Sequence, residues 1–222
     1  MQNLSNLYNQ ALTTVGHAAD VTDPTAKSRS TDLLNLWFSV ARRAVFTAAY
    51  WPSLRKTERL SLAASRDTNV AWTASDPSPG FVSAYAYPSD MLQPQFMEDF
   101  SPFKLGRIGS TRVIHTNTTN PILNYTVDEE NLTLWEPDLY RAVIWSLAGC
   151  INMAKNGKMQ LTEKLERQTL ALISQANVIA ANAEDEYFDS IPSFWVGTGF
   201  EVPQNAPRYF YPVSSYNLAG LF

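Results

Sequence analysis

The residues best suited to chemistry in this chain are acidic. Asp128, Glu129 and Glu130 are consecutive, and Glu136 and Asp138 follow shortly after. Two carboxylates facing one cleft are what glycoside hydrolysis requires, one as acid and the other as base or nucleophile. Glu129 or Glu136 is the residue that would serve in a glycosidase. That role also requires burial able to separate the two pKa values. Acids just before a helix are equally explained by solvation and by the positive end of the helix dipole. A second group, Glu184, Asp185, Glu186 and Asp189, falls at the C-terminal end of a helical pattern. There the dipole opposes negative charge, which either water or a basic partner would relieve.

Other reactive residues are sparse. Of the two histidines, His17 sits in a polar linker and His115 near a strand end, and neither has metal-ligand spacing around it. The single cysteine, Cys150, has no partner for an internal disulfide and reads as a small buried hydrophobe in a helix. Phosphate-binding loops, nucleophile elbows and dinucleotide fingerprints are missing from the sequence. No catalytic residue, metal or cofactor is therefore assigned.

Composition sets further bounds. The chain has 222 residues, 45% hydrophobic and 17% charged, enough for a sizeable core plus an inserted subdomain. A net charge of -4 gives no basic footprint for nucleic acid. Arg42, Arg43, Arg55, Lys56 and Arg59 read as a solvated surface. The start, MQNLSNLYNQ, lacks the pattern of a secretory signal, and no run approaches the roughly 18 apolar residues of a membrane span.

Hydrophobic spacing predicts the elements that position these groups. Leu4, Leu7, Tyr8, Ala11, Leu12 and Val15 recur at three and four, and Gly16 ends that helix. After a linker from His17 to Ser30, Leu33, Trp37, Val40, Ala41, Ala44 and Ala48 form the inward stripe of a second helix, with Arg42 and Arg43 off it. Pro52 stops this helix at Tyr50 or Trp51. From Arg55 the period shifts towards two, with strands expected around Leu60 to Leu62, Phe81 to Tyr87, Arg112 to Thr116 and Leu123 to Val127. Breakers separate them at residues 76–80, 106–109 and 117–121.

Pro137 can open a third helix with Leu139, Val143, Leu147 and Ile151 inward, closed at Asn156-Gly157. Thr162 caps a fourth, with Leu165, Leu172, Ile173, Ala176, Ile179 and Ala183 inward. The expected class is α+β, mainly α. A four-helix body (1–54 and 134–189) carries a small antiparallel β insertion (55–133) and an extended C-terminal arm (190–222).

The arm has the most unusual composition. Beyond Ser190 its only charged side chains are Glu201 and Arg208, while Phe194, Trp195, Phe200, Tyr209, Phe210, Tyr211 and Phe222 are spaced among prolines. Proline forbids helix there, and a disordered tail would be poor in aromatics and rich in charge. Two placements satisfy this chemistry: the arm caps its own domain, or it lies against another subunit.

The order of these parts resembles the head-to-tail adaptor proteins of short-tailed bacteriophages, the tail tubular protein A or gatekeeper family. The residues that carry the likeness lie between 4 and 188. They are Ala11 to Gly16 closing the first helix and Leu33 to Trp51 with its Arg pair and terminal Trp. Tyr85-Ala86-Tyr87-Pro88-Ser89-Asp90-Met91-Leu92, Val113 to Asn117 and Leu123-Asn124-Tyr125 follow, then Trp135-Glu136-Pro137 and the Ala-rich stretch from Gln175 to Ala183. Tyr87, Pro88 and Asp90 form a structural turn, with Asp90 capping the segment after it. The family often has a basic residue after this turn, where the chain has Gln93-Pro94-Gln95.

The resemblance implies a non-enzymatic virion protein, made in the host cytoplasm, that assembles as a homo-oligomeric ring, a dodecamer, in the neck. Its partners would be the portal protein, the tail nozzle or tube protein, and double-stranded DNA passing through the lumen without sequence recognition. The arm aromatics would grip the portal, while loops bearing Asp76, Asn117, Asn120, Asp128 and Glu129 would face the tail. The alternatives are a tail-associated cell-wall glycosidase using the acidic residues near 128–136, or a host-binding module.

Overall fold

A computed structural model describes residues 3–66 and 80–189, with side chains through Ala180. Asp76 and the arm residues Phe194, Trp195, Phe200, Tyr209, Phe210, Tyr211 and Phe222 lie outside the described residues, as do the side chains of residues 181–189. The class is α+β, with four α-helices and two antiparallel sheets among the described residues.

Helix α1 spans Leu4–Thr14 and is capped by the Asn3 side chain, which accepts from the Asn6 amide at 2.7 Å. It closes where Gly16 takes φ +81°, a conformation that favours glycine, with the His17 amide bonded to the Leu12 carbonyl. Asn9 then holds the linker in place through two bonds to the Val21 backbone. Helix α2 spans Arg29–Ala48 and begins with a capping box between Ser28 and Thr31. Its inner face is Leu34, Ala41, Val45 and Phe46, all buried, and Arg42 is buried among them. The inward stripe expected from spacing is therefore out of phase: Val40, Ala44 and Ala48 are exposed, and Leu33 and Trp37 are half-buried.

A short 3-10 turn at Pro52–Leu54 leads into the strands. These are β1 (Arg55–Arg59), β2 (Leu62–Ser65), β3 (Ser83–Ala86), β4 (Met91–Met97), β5 (Phe103–Ile108), β6 (Thr111–Thr116) and β7 (Ile122–Val127). One sheet has the order β1-β7-β4, the other β2-β3-β6-β5. Tyr85 and Ile114 of the second sheet share a core with Met91, Met97, Leu123 and Tyr125 of the first. The sheets therefore bury one face each against the other.

Strand β4, which contains Gln93-Pro94-Gln95, is not among the strands expected from spacing. It lies at a sheet edge with register shifts on both sides of Pro94, the setting in which a strand tolerates proline. Gly106, expected in a loop, lies inside β5 opposite Val113. A Cβ there would come within 2.5 Å of the His115 ring, which is buried and lies 6.4 Å from the Phe81 ring.

After a 3-10 turn at Leu132–Leu134, α3 (Pro137–Lys155) starts with proline at its first position. Leu139, Val143, Leu147 and Ile151 are fully buried, as expected. Helix α4 spans Met159–Asp189. Thr162 is therefore inside the helix rather than its cap, and its hydroxyl accepts from Asn152 at 2.8 Å. Leu165 and Leu172 are buried, whereas Ile179 is exposed. The helical core gathers α1, α2, α3, Trp51, Trp135 and the first half of α4. The chain divides into compact units at Asn177 and Val178, within α4.

Candidate interaction surface

The acidic run and the Arg pair, each of which reads as solvated in the sequence, meet each other. Arg42 Nη2 donates to Asp128 Oδ1 at 2.7 Å and to Glu130 Oε1 at 3.2 Å, while Arg43 donates to Asp128 Oδ2 at 2.8 and 3.0 Å. Only 4% of the Arg42 side chain is exposed, and its guanidinium lies 5.5 Å from the Phe38 ring and 5.8 Å from the Phe46 ring. A buried guanidinium needs such partners, because isolated charge is costly away from water. The pair pins α2 to the chain leaving β7.

Glu129 and Glu136 are also engaged by backbone. Glu129 Oε1 accepts from the Asn131 amide at 2.7 Å, and Glu136 Oε1 from the Ser53 amide at 2.8 Å. Those bonds tie down turns.

A different pair of carboxylates, unrelated by sequence position, converges on Tyr125. Its buried hydroxyl lies 2.8 Å from Glu58 Oε2 and 2.9 Å from Asp90 Oδ1, and Lys56 Nζ bridges the same two side chains at 3.0 and 2.7 Å. One phenol proton serves one carboxylate at a time, so the ammonium supplies the rest of the donors. Hydrogen bonds from Tyr125 and Lys56 hold Glu58 below the usual carboxylate range. At Asp90, burial works upward, but the bonds from Lys56 and Tyr125 outweigh it and the pKa falls. Burial, reinforced by Glu58, pushes the Tyr125 phenol up. A glycosidase acid needs a carboxyl raised towards neutrality. Here both are lowered, and the cluster joins β1, β7 and the turn before β4.

Asp90 therefore does not cap the following segment with its side chain. The Pro88 to Asp90 turn itself is present, closed by the Met91 amide on the Pro88 carbonyl, and the Tyr87 hydroxyl bonds the Met91 carbonyl at 3.3 Å. Asn117 ties its loop to the chain entering β3, accepting from the Val82 amide and donating to the Gly80 carbonyl, and Asn120 occupies a positive-φ turn. Of the basic residues expected in solvent, Arg55 lies 5.1 Å from the rings of both Tyr50 and Phe96.

What the fold leaves uncovered is the outer face of α2. Leu36 is 64% exposed and Val40 53%, with Ala44 exposed beside them, while Leu33 and Trp37 on the same stripe are half-buried against the helical core. At about 100° per residue, the apolar arc from Leu36 round to Phe38 covers a little over half of the α2 circumference, and Thr31, Asp32, Asn35, Ser39, Arg42 and Arg43 lie on the remainder. The core encloses most of that arc and leaves its Leu36–Val40 edge in water.

The N-terminal end of this face opens into a groove of about 810 Å³. Leu33, Leu36 and Ala154 provide an apolar lining, while Arg29, Lys155 and His17 line it with nitrogen. Asp32 is the one acid among the described lining residues. Among the described residues neither Arg29 nor Lys155 has a carboxylate partner, and His17 Nε2 has no hydrogen-bond partner. The groove is thus apolar below and cationic at its rim. Periodicity marks Leu33, Trp37 and Val40 as residues to be covered. Nothing in the sequence says that this chain half-covers Leu33 and Trp37 and leaves Val40 open.

Among the described residues no helix is long and apolar enough to cross a membrane, and no cluster of His, Cys, Asp or Glu could hold a metal ion. Compared with known proteins, the chain matches no protein-family model and no curated protein.

Proposed function

We infer that the protein is one subunit of a ring-shaped adaptor between the portal and the tail nozzle or tube of a short-tailed bacteriophage. The observation that carries the reading is the exposed apolar edge of α2 at Leu36 and Val40, which a single chain leaves in water at a cost that side-by-side packing would remove. The ordered likeness to the head-to-tail adaptors supplies the identity of the ring. In this reading the helical body (1–54 and 134–189) forms the ring wall and the insertion (55–133) faces the tail. The arm (190–222) reaches the portal.

Twelve copies would surround a lumen for double-stranded DNA. A net charge of -4 per chain suits passage, because phosphate contacts by a basic wall would retard ejection. Arms on each subunit bind the portal multivalently, so that one docked arm raises the effective concentration of the next.

Electron microscopy of the purified protein mixed with its portal ring tests the proposal. A second ring stacked on the portal is the expected result. Compact monomers beside unaltered portals would overturn it.

A further inference from the structure

The groove at the N-terminal end of α2 and the acidic end of α4 are each poorly placed by local electrostatics. Arg29 is the first residue of α2, where the helix dipole is positive. Glu184, Asp185, Glu186 and Asp189 fall in the last turns of α4, where the dipole is negative. Both arrangements are unfavourable within their own helix, and each has the charge that would relieve the other. Such local conflicts are expected where a surface is kept for a partner.

The chemistry also matches beyond charge. The groove offers apolar Leu33, Leu36 and Ala154 between Arg29 and Lys155. The end of α4 interleaves Tyr187 and Phe188 with its acids. Arg29 and Lys155 against Asp32 leave the groove net positive, whereas residues 184–189 contain four acids and no base.

We propose that the groove receives residues 184–189 of a neighbouring copy, with Tyr187 and Phe188 against Leu33 and Leu36 and the acids against Arg29 and Lys155. The contact joins two different surfaces, so it is heterologous and propagates around a ring instead of closing a dimer. It rests on the adaptor reading for the ring, and it names the surfaces that hold one subunit to the next.

The test uses the full chain, alone and with portal rings. Arg29 and Lys155 are exposed, so Arg29→Glu with Lys155→Glu leaves the fold intact, as an unchanged melting temperature will verify. Sedimentation should show self-association weakened about a hundredfold, because like charges then face each other. Glu184→Lys with Glu186→Lys should do the same, and mixing the two variants should restore association to within about tenfold of the original. A photoreactive residue at position 36, in a mixture of isotopically heavy and light chains, should crosslink to residues 184–189 of the other isotope.

Rings that form with unchanged affinity in both charge-reversed variants would overturn the groove assignment while leaving the adaptor reading intact. Crosslinks confined to a single chain would also overturn it. A wild-type chain that assembles neither alone nor on the portal would remove both.

Discussion

The two faces of α2 contain similar residues and meet opposite fates. Leu34, Val45 and Phe46 are enclosed by the helical core, and Arg42 beside them is matched to Asp128. Leu36 and Val40, equally apolar and in the same helix, stand in water. The difference comes from neighbours rather than from α2. A hydrophobic stripe states that something covers a helix, without stating whether the cover belongs to the same chain.

Substitutions on and away from α2 break or sharpen that contrast. The largest effect is expected at the inner anchor. Asp128→Ala removes the carboxylate shared by Arg42 and Arg43 and leaves a buried guanidinium with one partner, which should cost about 3–5 kcal/mol in urea unfolding. Leu34→Ala, on the same face, should cost about 2–5 kcal/mol by cavity formation, with a melting transition that stays cooperative. Equal stability of wild type and either variant would mean that the inner face is not the one buried.

Charge away from that interior should matter less. Lys56→Met breaks pairs whose side chains are all more than a third exposed, so a loss below about 1 kcal/mol is expected. The cluster should be visible in acid instead. Glu58 and Asp90 have folded pKa values below their unfolded ones, so their stabilisation is present above the unfolded carboxylate range near pH 4. It is lost as pH falls through the lower folded values. Urea midpoints measured from pH 6 downward should fall more gently in Asp90→Asn than in the wild type; parallel curves would dismiss the cluster as a source of acid sensitivity.

The smallest effect on stability belongs to the outer face. Leu36→Ser with Val40→Ser should change unfolding free energy by no more than about 0.5 kcal/mol per site. The same variant should lose ring formation on the portal. Full assembly with both serines in place would show that this face stays in solvent.

Much of the helical framework is legible from local pattern. Leu7, Tyr8 and Ala11 in α1, and Leu139, Val143 and Leu147 in α3, recur with the helical period and are buried. Gly16 and Gly157 close their helices with positive φ, as their positions suggest. The β region is less legible. Pro94 hides β4, because an edge strand permits what an interior strand forbids. Gly106 looks like a breaker, yet its need for a small residue comes from the His115 ring on the adjacent strand.

The charged residues are misread from sequence for one physical reason. Arg42 and Asp128 are 86 positions apart, and each alone has a sufficient explanation as a surface charge. The same holds for Glu58, Asp90 and Tyr125, which the β1-β7 pairing and the turn before β4 bring to a single hydroxyl. Long-range pairing is set by strand order and register, which one-dimensional spacing does not contain.

By itself, then, the amino-acid order determined the existence of the helices, the glycine-marked ends of α1 and α3, the chemistry of the arm and the apolar content of α2, because caps, glycines and periodicity act over a few residues. Only the tertiary structure decided which face of α2 is core, which charges are partners and which grooves stay open. Those outcomes depend on contacts between residues far apart in the chain, and a contact at a distance is a property of the folded whole.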